Sequence, residues 1–171
     1  MTLPVIELRE YTLHPGQRDV PSMEARANAL AAFYGGPVWK QHRSAANATM
    51  IDSDNVLLLQ PAWPGSAAAL ETAPTDRGSL LVASIHSFAD RVALEEFAAR
   101  FRDDAHGAHV LAALKTEPAV NTFPALPVRE GEHVFVWLSR FTERTLFVEG
   151  THGDPTRFFL EPTSGSRLRG S

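Results

Sequence analysis

The segment from Ser22 to Pro61, SMEARANALAAFYGGPVWKQHRSAANATMIDSDNVLLLQP, carries local signals that agree with one another along its whole length. Ser22 is a good N-cap residue, and apolar side chains then recur at helical spacing as far as Tyr34. The glycine pair that follows ends this pattern, and Pro37 begins a second helix at the position where a helix tolerates proline. The short apolar run before Pro61 is typical of a buried strand. The segment therefore predicts two helices followed by a strand.

Composition excludes several classes of function. The 171 residues are 44% hydrophobic, which is enough for a sizeable core, and a formal net charge of −4 provides no basic surface for nucleic acid. Without cysteine, disulfides and cysteine-ligated metals are excluded. No apolar run is long enough to cross a bilayer, and charged residues lie where a signal peptide needs apolar ones. We therefore expect a soluble, cytoplasmic protein.

The remainder of the chain predicts further strands and one more helix. Asp90 can cap a helix whose apolar stripe continues to Phe101. Residues 109–116 favour a strand, with a helix as the alternative, and this strand is expected to form a hairpin with residues 133–141. The aromatic residues of 133–141 are expected to form a core between two sheets. Further strands are predicted at residues 5–13, 79–88 and 156–161.

The two halves of the chain repeat the same order of elements. Each has an opening strand, a helix and a closing strand that ends in proline, LLLQP at 57–61 and FFLEP at 158–162. This duplication predicts an α+β protein on the split βαβ, or ferredoxin-like, plan. The predicted divisions are a first repeat at 1–61, a linker at 62–78, a second repeat at 79–163 and a polar tail at 164–171.

Three long strings resemble the NIPSNAP family: VIELREYTLHPGQRD, AFYGGPVWKQHRSAANATMIDSDNVLLL and TEPAVNTFPALPVREGEHVFVWLSRF. The resemblance implies two ferredoxin-like repeats packed sheet to sheet as a dimeric α+β barrel. It implies no particular reaction, since the mitochondrial members are discussed as adaptors and the wider superfamily includes cofactor-free monooxygenases and haem enzymes. From it we expect a homodimer.

The sequence departs from the family pattern in two places. Between Asp19 and Pro21 the family usually carries a helix and two strands, and between Thr142 and Thr151 it usually carries a longer second helix. The first repeat is therefore incomplete, which leaves sheet edges to be covered. Either another subunit completes the sheet, or residues of a longer polypeptide are missing from the sequence, and the second alternative is favoured.

Polar residues on the two opening strands form the first candidate site. If helices cover the opposite face of these strands, the residues that face the barrel interior are Glu7, Arg9, Tyr11, Ser84 and His86. Glu7, Tyr11 and His86 are the candidate catalytic residues, with a neutral His86 as the base, while Arg9 and Ser84 would bind a carboxylate or phenolate. The alternative is a structural ion pair between Glu7 and Arg9 and a core histidine at position 86.

A second group of candidate ligand-binding residues lies on the second helix of the opening segment. Trp39 and Arg43 share a helical face, and His42 lies three residues from Trp39. The alternatives are a core tryptophan and, with far less support, an axial haem ligand at His42. The histidine and carboxylate spacing matches no metal motif, and Gly35-Gly36 lacks the lysine of a phosphate loop, so we expect neither metal nor cofactor.

Together these patterns predict a barrel that binds a small hydrophobic or aromatic molecule. A cofactor-independent enzyme that acts on such a molecule is the stronger form of the same prediction. The alternative from a different class is a non-catalytic adaptor or assembly module. No nucleic acid or membrane partner is expected for either.

Overall fold

A computed structural model of the chain describes residues 5–9, 19–20, 22–48, 55–69, 80–104, 110–141 and 155–160. Its helices are α1 (Met23–Gly35), α2 (Pro37–Ala48) and α3 (Arg91–Asp104). Its strands are β1 (Val5–Arg9), β2 (Asp19–Val20), β3 (Val56–Pro61), β4 (Leu80–Phe88), β5 (Val110–Thr116), β6 (His133–Phe141) and β7 (Thr156–Leu160). The predicted α+β class is confirmed.

The chain divides into two compact units. The first comprises residues 1–60 and 117–131, and the second comprises residues 61–116 and 132–171. The first division falls beside Pro61, where the closing strand of the first repeat was predicted to end. In the described part of the chain, no helix is long and apolar enough to span a membrane.

The second unit contains an antiparallel sheet with the strand order β5-β6-β4-β7. β5 is a strand rather than a helix, and it forms the predicted hairpin with β6. Because β6 lies between β4 and β5 and is antiparallel to both, α3 connects two parallel strands that are separated by one strand. This is the split βαβ arrangement that the order of elements predicted.

Helix α3 packs on one face of this sheet. Asp90 Oδ1 accepts a hydrogen bond from the Ala93 amide at 2.9 Å, so the predicted cap is present. The ring of Phe97 lies 5.2 Å from that of Phe135, and Phe101 lies 5.3 Å from Trp137. The aromatic residues of β6 therefore pack against a helix, and the expectation that they join two sheets was wrong for these two rings.

The sheet face opposite α3 is also buried. Its residues alternate with those under the helix, and those with less than a tenth of their surface exposed are Leu81, Ala83, Ala112, Leu114, Val134 and Val136. All six are apolar, whereas the α3 face of the same strands includes buried Ser84, His86 and Ser139. Among the described residues with less than a tenth of their surface exposed, the polar ones on these strands all lie on the α3 face, although the partly exposed Arg140 places buried guanidinium atoms on the opposite face.

Residues 62–69, the start of the stretch whose composition predicted a linker, hydrogen-bond to β5. The Ala62 amide donates to the Ala113 carbonyl at 2.9 Å, and the Ala113 amide donates to the Ser66 carbonyl at 2.8 Å. The Ser66 hydroxyl also donates to the Ala113 carbonyl at 2.6 Å. This segment therefore lies along the second unit, while residues 70–78 lie outside the described residues.

In the first unit, β1 lies between β2 and β3 and is antiparallel to both. The pairing of β2 with β1 was not predicted, because two residues are too few for a strand pattern. The Ser22 hydroxyl accepts a hydrogen bond from the Ala25 amide at 3.1 Å, which confirms the predicted start of α1. Residues 10–13 of the first predicted strand lie outside the described residues.

The loop at 117–131 joins the first unit by bonding to β3 at both of its ends. The Glu117 amide donates to the Leu58 carbonyl and the Arg129 amide donates to the Val56 carbonyl, each at 2.8 Å. The loop lies more than fifty residues after β3 in the sequence. These bonds provide hydrogen-bond partners for two of its backbone amides.

The closing strands of the two units pair in a similar way with their opening strands. In both units the closing strand lies antiparallel beside the opening strand, β3 beside β1 and β7 beside β4. Treating Pro61 and Pro162 as equivalent offsets the closing strands by 101 residues, and the two registers then offset the opening strands by 75. By this correspondence Arg9 is equivalent to Ser84.

Candidate functional site

A row of four residues crosses the second unit's sheet on one face. Ser84 of β4 lies directly opposite both Trp137 of β6 and Arg157 of β7, and Ala113 of β5 lies opposite Trp137. Directly opposed residues in antiparallel strands have their Cβ atoms about 4.5–5.5 Å apart. We call this set of four residues the Ser84 row. His86 lies two residues from Ser84 on the same face.

His86 accepts a hydrogen bond from Trp137. The distance from Trp137 Nε1 to His86 Nε2 is 3.3 Å, and it joins diagonal neighbours on β6 and β4. An indole nitrogen can only donate, so Nε2 of His86 carries no proton in this arrangement. In this contact Nε2 of His86 acts as the hydrogen-bond acceptor.

The ring of His86 lies on the face that α3 covers. Its centroid is 4.8 Å from that of Phe97 on α3, and 9% of the residue is exposed. We expected helices on the other face of β4, with His86 facing a barrel interior, and that placement was wrong. Residue alternation forces the same correction on Ser84. The surroundings of His86 match the alternative of a core histidine, and its catalytic role stays a prediction.

Ser84 is completely buried. Among the residues that the structure describes, its Oγ atom has no hydrogen-bond partner. Ser139, on the same face of β6, is equally buried, but its hydroxyl donates to the Val82 carbonyl at 3.5 Å. Since buried hydroxyls are normally bonded, Ser84 is the exception on this face that needs an explanation.

Arg157 was not predicted as a site residue. It lies directly opposite Ser84 and is half-buried, as is Trp137. A signal was present in the sequence, because Arg157 is the residue before FFLEP in the repeated closing strand. Its meaning depended on the register between β7 and β4, which sequence alone does not provide.

The candidates on the first opening strand are described only in part. Glu7 lies opposite Leu58 and Arg9 lies opposite Val56 in the register of β1 with β3. Tyr11, which the offset of 75 residues makes equivalent to His86, lies outside the described residues. The structure therefore brings Ser84 and His86 together, and the roles of Glu7, Arg9 and Tyr11 stay predictions.

The candidates on α2 belong to a different environment. The ring of Trp39 lies 4.8 Å from that of Tyr34 and 5.4 Å from that of Phe33, both on α1. His42 and Arg43 are exposed. These contacts match the alternative of a packed tryptophan at the corner between α1 and α2, and the ligand roles of the three residues stay predictions.

Sequence reasoning also missed a buried arginine. Arg26 of α1 is 1% exposed, and its Nη1 donates to Asn121 Oδ1 at 3.0 Å. The same amide oxygen accepts from the Phe123 amide at 3.0 Å, and Asn121 Nδ2 donates to the Leu126 carbonyl at 2.8 Å. Asn121 thus attaches the loop to α1. From the sequence alone, an arginine at this position of a helix is expected to be exposed to solvent.

No group of three or more histidine, aspartate or glutamate residues lies close enough to hold a metal ion within the described ranges. The expectation of no metal stays a prediction.

No family model, curated protein or solved structure matches the chain. Functional inference therefore rests on the fold and on the chemistry of the Ser84 row.

Proposed function

We propose that this protein binds a small hydrophobic or aromatic molecule at the Ser84 row, with His86 beside it. The observation that carries the proposal is the buried Ser84 hydroxyl, which has no partner among the described residues. Leaving a buried hydroxyl unbonded costs about 1–3 kcal/mol. A ligand that bonds to this hydroxyl removes that cost, while the aromatic residues around it provide the apolar contact.

Binding is favoured over catalysis by the state of His86. A general base needs a free acceptor nitrogen, and the acceptor nitrogen of His86 is bonded to Trp137. A substrate hydroxyl would first have to displace the indole. We therefore propose binding as the function and keep a cofactor-independent reaction as its extension.

The proposal includes membership of the NIPSNAP family and a tandem ferredoxin-like, dimeric α+β barrel. The support for the family is the three long strings of the sequence. The support for the fold is the split βαβ order of the second unit and the matching registers of the closing strands. The apolar face opposite α3 has the character of a sheet that packs on another sheet. A cytoplasmic location belongs to the same proposal.

Tryptophan fluorescence tests the binding proposal directly. A variant with Trp39→Phe and Trp63→Phe keeps Trp137 as its single indole, so quenching reports on the Ser84 row. We expect saturable quenching by small aromatic probes such as benzamide and benzoate. The absence of saturable quenching by every probe up to millimolar concentrations would refute the proposal.

Two serine variants separate binding from folding. Ser84→Ala should weaken binding several-fold, yet raise the free energy of unfolding by about 1–2 kcal/mol, because it removes an unbonded buried hydroxyl. Ser139→Ala is the matched control, since this equally buried serine has a hydrogen bond to lose. It should leave affinity unchanged and not stabilise the protein. If both variants behave alike, Ser84 has no ligand role.

A second candidate function, assembly into a homodimer or a larger complex, has its own observation. None of the twelve residues of α2 is buried, and Val38 on this helix is 69% exposed. Isolated helices of this length are marginal in water, and most helices in proteins owe their stability to packing. A partner surface over α2 would provide that packing.

Light scattering on the purified chain tests the assembly proposal. We expect a dimer at micromolar concentration, and Val38→Glu should shift it to a monomer. Val92→Glu on α3 is the control, because Val92 is 67% exposed and the substitution is identical. A strict monomer for the parent chain, or equal dissociation by both variants, would exclude α2 as the interface.

A further inference from the structure

We infer that a second copy of this chain binds to the exposed face of α1, with Phe33 as the central contact and a two-fold axis through that helix. This inference rests on the proposed assembly function and specifies its partner and the position of its axis. The ligand-binding proposal is independent of it. No motif in the sequence indicated a role for Phe33.

The first argument is the absence of charge on this surface. From Ala25 to Trp39 the only charged residue is Arg26, which is 1% exposed. Solvent-facing surfaces of helices normally carry charged side chains, whereas the central part of a protein interface is depleted of them. The exposed residues of α1 within this range are Asn28, Ala29, Ala31, Ala32, Phe33 and Gly35.

The second argument is a large apolar side chain that is held in place at the surface. Phe33 is 43% exposed, yet the centre of its ring lies 5.1 Å from that of Tyr34 and 5.4 Å from that of Trp39. Tyr34 in turn stacks on Phe123 at 5.7 Å. Because these contacts restrict the ring of Phe33 before binding, a partner that packs on it costs little conformational entropy. Aromatic side chains are enriched at the centres of interfaces.

The third argument concerns the identity of the partner. Ala29 precedes Phe33 by four residues, so the two are neighbours on α1, and both are exposed. A two-fold axis between them would place Phe33 of each copy on Ala29 of the other. A large side chain opposite a small one packs without a void. In a two-fold contact each residue near the axis also approaches its own copy, so an uncharged surface favours a second copy over a charged partner.

The charges of α2 favour an axis through α1 instead. Lys40 and Arg43 are exposed near the centre of α2, and this helix contains no acidic residue. An axis through the middle of α2 would bring these cations close to the same residues of the second copy, where like charges repel. An axis through α1 avoids this repulsion. Val38 adjoins Trp39, whose ring contacts that of Phe33, so the second copy would also cover Val38.

A pair of complementary variants tests the inference. Ala29→Lys and Phe33→Glu each place a charge in the apolar contact, so each should raise the dissociation constant of the dimer at least about tenfold in sedimentation equilibrium. In an equimolar mixture, one of the two symmetric contacts joins the new lysine to the new glutamate, and the other keeps Phe33 on Ala29. The mixture should therefore form a dimer at concentrations where each variant alone is a monomer.

Ala99→Lys on the exposed surface of α3 is the matched control, and it should leave the dissociation constant unchanged. Circular dichroism checks that each variant is folded, and Ala29→Lys remains informative if Phe33→Glu does not fold. The inference is overturned if Ala29→Lys dissociates the dimer no more than Ala99→Lys does, or if two folded variants form no dimer when mixed, even where Val38→Glu dissociates the parent. A monomeric parent chain would instead refute the assembly proposal, and the inference with it.

Discussion

The buried contact between Arg26 and Asn121 should produce an asymmetric response to mutation. We predict that Asn121→Ala lowers the free energy of unfolding by about 3–5 kcal/mol, whereas Arg26→Met lowers it by about 1–2 kcal/mol. The larger effect arises because Asn121 makes three side-chain hydrogen bonds, to Arg26, Phe123 and Leu126. The bond to the charged guanidinium contributes about 1.5–3 kcal/mol, and each neutral bond contributes about 0.5–1.5 kcal/mol.

The smaller effect of Arg26→Met follows from the location of the charge. Arg26 is 1% exposed, so solvent screening does not reduce its interactions. Removing Asn121 leaves Nη1 of a buried cation without its amide acceptor, which is expensive. Removing the arginine takes away the buried charge together with its bond, and a methionine of similar length keeps the apolar contacts. Asn121 Oδ1 still accepts from the Phe123 amide.

A double-mutant cycle measured by urea unfolding tests this reasoning. The free energies come from far-UV circular dichroism of the parent, both single variants and the double variant. We expect a coupling energy of about 1–2 kcal/mol, within the range found for contacting residues. The argument is refuted if Arg26→Met costs more than Asn121→Ala, or if the coupling is below about 0.5 kcal/mol.

Three further predictions concern stability. Phe97→Ala should cost about 3–5 kcal/mol in urea unfolding, because Phe97 is 7% exposed and its ring packs between α3 and the sheet, while Val92→Ala on the exposed side of the helix should cost under about 0.5 kcal/mol. Ser22→Ala should lower the melting temperature through the loss of about 1 kcal/mol at the α1 cap, and Ser22→Asn should restore it. Gly131→Ala should cost about 1–2 kcal/mol, since its φ of 73° is unfavourable for a side chain, and no loss would contradict that conformation.

Most helices and strands followed from local pattern. The elements of the opening segment were predicted correctly from Ser22, from the glycines before Pro37 and from the apolar run before Pro61. Caps, helix breakers and periodicity act within a few residues, so local sequence is enough to identify them. The hairpin of β5 and β6 and the split βαβ order also followed from the order of elements. The two-residue strand β2 did not, since its pairing with β1 depends on a partner and on no pattern of its own.

The sequence predicted that Ser84 and His86 share one face of a strand, but it did not predict what surrounds them. Ser84 and His86 were identified because strand alternation places them on one face, a property of β4 alone. The choice between the two faces was wrong, because it depends on which side α3 packs, and the contact of Phe97 with His86 settles that side.

Long-range contacts account for the rest. Arg157 lies beside Ser84 because of the register between β7 and β4, which brings together residues that are 73 positions apart in the sequence, and a shift of one residue would move Arg157 to the other face. Arg26 is buried because a distant loop returns to α1 and provides Asn121. Local sequence sets which residues can form a helix or a strand, since those interactions are short in range. Which side chains meet depends on strand register, on which sheet face a helix covers and on where a distant loop packs. These features are set by packing free energy summed over the whole fold, so local sequence does not determine them.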